Sequence, residues 1–108
     1  MDRALSCGEA VRVLAQVLRA VPTQTPQGGR VVFHEPVGSV WLKLGARRRR
    51  EREDAGVLRV SEVLKAEVRA DPRLEEGLLV QFGGSDWTVT GLDPAGAGYR
   101  VLEMERVR

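Results

Sequence analysis

Cysteine and histidine each occur once in this 108-residue chain, as Cys7 and His34. One cysteine excludes an internal disulfide, and one thiol with one distant imidazole excludes a cysteine–histidine zinc site. Cys7 therefore reads as an inert thiol near the terminus. Aromatic residues make up 5% of the chain, too few for the stacking platforms that hold single-stranded bases. No apolar run approaches the roughly 18 residues of a membrane helix. The opening Met1-Asp2-Arg3-Ala4-Leu5-Ser6-Cys7 carries no apolar core ahead of Gly8-Glu9, so no secretory signal is read there. The expectation is a soluble chain made inside a cell and having no membrane partner.

Catalytic sets are missing as well. Ser39, Ser61 and Ser85 stand in no Gly-x-Ser-x-Gly elbow. Gly83-Gly84-Ser85 lacks the spacing of a phosphate loop and reads as a hairpin turn. Glu75-Glu76, or Glu103 with Glu105 on one strand face, could do acid/base work only in a cleft, and no cleft pattern surrounds them. The chain is expected not to be an enzyme, with no catalytic residue, cofactor or metal.

What is present fits one ordinary globular domain: 43% hydrophobic and 30% charged residues, at a length that supports a single core of modest stability. Residues 1–10 read as a flexible arm and 11–108 as the domain. Val11 to Val21 fits both a helical stripe and strand alternation. Pro22 to Gly29 reads as a loop, and Arg30 to Glu35 as a short strand. Pro36 and Gly38 interrupt that strand, and Val40-Trp41-Leu42-Lys43-Leu44 resumes it. From Glu62 onward, alternating apolar positions and turn signals every eight to twelve residues predict further strands, the last over Tyr99–Val107. The fold class is mainly β, a small antiparallel barrel or sandwich.

Between these strands, residues 45–61 break the pattern. Arg47 and Glu51, Arg49 and Glu53, and Arg50 and Asp54 stand four apart, as ion pairs on a helix do. The spacing predicts a long excursion, part helix and part loop, with Gly56 ending the helix. The run Arg47-Arg48-Arg49-Arg50, with Arg52 just beyond, is the sharpest feature of a chain whose net charge is only +2. Two readings stand beside each other. One is a solvated helix end paired with Glu51, Glu53 and Asp54; the other is sequence-independent contact with phosphates.

The order of short motifs resembles the head-tail joining proteins, the stopper or adaptor class, of tailed phages and phage-derived gene transfer agents. The resemblance runs over about residues 11–107. It is carried by Arg12-Val13-Leu14-Ala15-Gln16, Gly28-Gly29, Val40-Trp41, Glu67-Val68-Arg69 with Gly77, Trp87-x-Val89 with Asp93-Pro94, and Arg100-Val101-Leu102-Glu103. The family often carries a Ser-Gly-Arg-Glu-like stretch between the equivalents of Trp41 and Glu62, where this chain has Gly45-Ala46 and the arginines. The resemblance implies that residues 11–21 are a strand. It further implies a barrel assembled into a six- or twelve-fold ring at the neck of a phage-like particle, built in the bacterial cytoplasm. The portal or adaptor would lie above the ring and the tail terminator or tail tube below. The excursion would then face the axial channel, with Arg47, Arg48, Arg49, Arg50 and Arg52 toward packaged double-stranded DNA without sequence preference. The alternative is a free nucleic-acid-binding barrel of the OB or SH3-like kind. A small hydrolase is a third class for which no residue is nominated.

Overall fold

Alternation of apolar and polar residues along nearly the whole chain leaves strands as the only elements that can bury one face and wet the other. The computed structural model describes residues 11–107, and within them all side chains except those of Asp54 and Val107. The expected arm, residues 1–10, lies outside the described residues. Six strands follow in order: β1 (Val11–Gln24), β2 (Arg30–Asp54), β3 (Val57–Arg69), β4 (Leu79–Phe82), β5 (Ser85–Pro94) and β6 (Tyr99–Val107). They close into an antiparallel barrel in the order β1-β2-β3-β6-β5-β4. The closing contact pairs Gln16, Val17 and Leu18 of β1 with Gln81, Val80 and Leu79 of β4. Closure removes the unpaired edges of the barrel wall. Among the described residues there is no helix long and apolar enough to cross a membrane.

The inward positions fill the barrel. Ala15 and Val17, Leu42, Leu64-x-Ala66-x-Val68, Val80, Trp87-x-Val89 and Leu102-x-Met104 are all buried, joined by Leu74 and Leu78 from the β3–β4 connection. Two-residue turns of the predicted kind occur where glycine permits them: Gly83-Gly84 joins β4 to β5, with Phe82 opposite Ser85.

Three expectations are revised by β1 and β2. Strand β2 runs for 25 residues, whereas the sequence predicted two short strands and then an excursion. Pro36 and Gly38 do not break it. Val17 pairs with Gly38 and Leu18 with Pro36, so Val37 is an extra residue, and the irregularity is absorbed as a bulge. The Pro22–Gly29 loop is shorter than predicted, because β1 continues to Gln24 and only Thr25–Gly29 turns. Pro22 is accommodated because β1 meets β4 no further than Leu18, which leaves an open edge where a missing N–H costs nothing.

The third revision concerns residues 45–61. They form neither helix nor irregular loop but a β-hairpin, in which Asp54 pairs with Val57 across the turn Ala55-Gly56. The turn has φ of 54° at Ala55 and 80° at Gly56, the positive pair that two-residue hairpin turns require. Because among the described residues β3 meets β6 only from Ser61 onward, residues 51–60 stand out from the barrel as a two-stranded ribbon.

Candidate nucleic-acid interface

The arginine run owes its placement to a second bulge. Leu44 pairs with Ala66 and Arg47 with Leu64, so Gly45 and Ala46 together oppose Lys65. A Cβ on Gly45 would lie 3.0 Å from the Lys65 carbonyl oxygen, so the close backbone approach there selects glycine. From Arg47 the ladder is regular: Arg47 faces Leu64, Arg48 Val63, Arg49 Glu62, Arg50 Ser61, Glu51 Val60, Arg52 Arg59 and Glu53 Leu58.

Directly opposed residues in an antiparallel ladder share a face, and successive residues alternate between faces. The five predicted site residues therefore do not form one cluster. Arg47 and Arg49 lie on the face continuous with the barrel interior, together with Leu64 and Glu62. Arg48, Arg50 and Arg52 lie on the outer face, together with Arg59, which the sequence reading missed. Its signal was available in the Ala55-Gly56 pair, which fixes the register that sets Arg59 against Arg52.

On the inner face Arg47 is engaged. Trp87 closes the end of the core, and its ring stacks on Phe82 with centroids 5.9 Å apart and planes at 4°. The Arg47 and Arg106 guanidinium carbons stand 5.4 and 5.0 Å from the Trp87 centroid. Glu62, buried at the same rim, is paired with Arg106 and lies 3.9 Å from Arg47. Arg106 also donates to Ser85 Oγ at 2.5 Å. The group is a lid of cations over an aromatic face, with the buried carboxylate balancing it.

On the outer face Arg50 lies 3.6 Å from Glu105, which also accepts a 2.7 Å hydrogen bond from Ser61 Oγ. Glu103, its neighbour on the same strand face, accepts from Thr90 Oγ1 at 3.4 Å. The two glutamates thus act as surface charges of the barrel wall. Of the ion pairs expected at four-residue spacing, Arg47–Glu51 and Arg49–Glu53 are absent among the described residues, and Arg50–Asp54 lies outside the described side chains. Arg47 and Arg50 pair across strands.

Elsewhere, an open groove of about 480 Å³ runs over the outer wall between Arg12, Trp41, Lys43, Glu67, Arg69 and Tyr99. Trp41 is 64% exposed and faces Leu14 across the ladder. The Arg69 guanidinium lies 5.8 Å from the Tyr99 centroid. Among the described residues no cluster of histidine, cysteine and carboxylates could hold a metal ion.

No family model matches the chain, and no curated protein matches it. Among solved structures, the chain is similar to a chain from the structure of the virion of a native gene transfer agent particle, with a TM-score of 0.69 and 20% identity. The likeness covers 89% of this chain and 94% of that one. At this identity it shows a shared fold over almost the full length of both.

Proposed function

We propose that the chain is a non-enzymatic structural subunit of a phage-like particle, forming a ring at the neck between portal or adaptor and tail. In that ring the β2–β3 hairpin faces the axial channel, where it lines or closes the path of packaged DNA. The observation that carries this reading is the hairpin itself. A barrel like one found in a gene transfer agent virion bears a projecting ribbon with Arg52 and Arg59 on it and Arg47–Arg50 at its base.

The chemistry supports the role. A small barrel with a marginal core gains surface burial when a repeated interface closes by rotation, and every charge on the ribbon is then multiplied around one hole. Duplex DNA carries one negative charge per roughly 1.7 Å of its axis, so such a collar retards it whatever its sequence. Steric closure by the ribbon must add to this attraction, because attraction by itself permits sliding.

Particles assembled with Arg47, Arg48, Arg49 and Arg50 all changed to glutamine are expected to contain the ring but to leak DNA. The measurement is DNA content after purification, with neck occupancy counted in images of the same particles. Full retention of DNA at normal occupancy overturns the channel role.

A further inference from the structure

We propose that the hairpin meets DNA through one face only, formed by Arg48, Arg50, Arg52 and Arg59, while Arg47 belongs to the lid of the barrel and Arg49 stands beside it, opposite Glu62. This rests on the reading of the hairpin as the DNA-facing element and assigns the contact within it.

The two faces differ in charge. On the inner face two arginines, Arg47 and Arg49, stand among three glutamates, Glu51, Glu53 and Glu62. A phosphate approaching that side meets carboxylates, and Arg47 is already held between Glu62 and the Trp87 ring. On the outer face, among the described side chains, the four arginines have one acidic neighbour, Glu105 beside Arg50; Asp54 follows Arg52 by two residues along the strand. Among the described residues Arg48, Arg52 and Arg59 have no ion-pair partner, and on the inner face Arg49 has none either, though it stands opposite Glu62.

Arg52 and Arg59 are also directly opposed across the ladder. Like charges in that position destabilise a ribbon, which among the described residues has no third strand to support it. The arrangement is unfavourable for the isolated protein and favourable once a polyanion lies against it. Spacing agrees with such a ligand. Alternate strand residues recur about every 6.7 Å, so Arg48, Arg50 and Arg52 form a straight row of cations comparable in repeat to the phosphates of one DNA strand. The face carries no aromatic side chain, so it contacts backbone and not bases.

The test compares matched pairs in the full-length chain: Arg52→Gln/Arg59→Gln against Arg47→Gln/Arg49→Gln. Binding to a short labelled duplex of arbitrary sequence is followed by anisotropy across a salt series. Each phosphate neutralised adds about 0.9 to the steepness of log K against log salt. The outer pair is expected to flatten the slope by about 2 and the inner pair to leave it unchanged. Equal flattening by both pairs overturns the face assignment while the hairpin's DNA role stands. Absence of salt-dependent binding by the unsubstituted chain overturns both. Arg52→Gln by itself is expected to raise the melting temperature by relieving the opposed charges. A lowered melting temperature overturns the claim that the pair is unscreened.

Discussion

Arg73 ties two distant parts of the barrel together by a chain of contacts that each have a separate cause. Its backbone N–H and its guanidinium both donate to the Asp71 carboxylate, at 2.9 Å from the backbone and 2.7 Å from Nη2. Its Nη1 donates to the Val37 carbonyl at 2.9 Å. Val37 is the extra residue of the β2 bulge, so the arginine satisfies a carbonyl that the interrupted ladder leaves over. The side-chain hydrogen bond from Arg73 holds the Asp71 carboxyl at about 2, below its ordinary 3.8. A carboxylate whose pKa is lowered by folding contributes stability that is present above its unfolded value and is lost as pH falls through the folded one. Asp71→Asn is therefore expected to lower the melting temperature near neutrality, with the difference from the unsubstituted protein closing between about pH 4 and pH 2. Thermal melts over that range check it. A constant gap would mean that the clip owes nothing to the charge.

At the scale of elements, the barrel strands were legible because burial and alternation agree. Leu64, Ala66 and Val68 stand inward exactly where a period of two places them, as do Trp87 and Val89. The β2–β3 hairpin was not legible, because its charges fit two periods at once. Arginines and acids four apart in Arg47–Asp54 satisfy a helix, yet the same residues taken two apart sort into a set of two arginines and two glutamates and a set of three arginines ending at Asp54. What decides between them is backbone chemistry: Gly45 where β3 passes at contact distance, and the Ala55-Gly56 turn. Alanine is a poor residue for that turn, since its Cβ is crowded at positive φ, costing roughly 1–2 kcal/mol. Asparagine, the residue type favoured at the first position of such a turn, relieves part of this. Ala55→Asn is expected to slow amide hydrogen exchange in residues 51–60 by about fivefold, since 1 kcal/mol is a factor of about five in an opening equilibrium. The barrel wall is expected to keep its exchange rates. Equal slowing in both regions would show that the ribbon and barrel open as one unit.

Taken whole, the molecule is extended and carries apolar side chains on its surface. Its radius of gyration is 16.2 Å, against roughly 13 Å for a compact domain of about 100 residues. Beyond the β1–β4 contact, residues 19–24 of β1 and 30–35 of β2 pair only with each other among the described residues, as a second ribbon. Exposed apolar side chains lie along both: Val31, Val32 and Phe33 on this one, Val57 and Leu58 on the β2–β3 ribbon. The barrel wall adds Leu14, Trp41 and Tyr99 around the groove that also holds Arg12, Lys43 and Arg69. A large aromatic surrounded by cations and half-exposed aliphatics has the composition of a contact centre between proteins. The ring reading predicts that this wall is covered by the adjacent subunit. The free-barrel reading predicts that it stays in water. Trp41→Ala separates them, because Trp41 lies outside the core and its loss leaves the inward packing of Leu42 and Val40 in place. In the ring reading the change weakens self-association at least tenfold, the effect of removing a central interface aromatic worth about 2 kcal/mol, while the protomer melts as before. Sedimentation velocity across a dilution series reads both the mass and its concentration dependence. A chain that sediments as a monomer with or without Trp41, at every concentration, removes the ring contact from this wall.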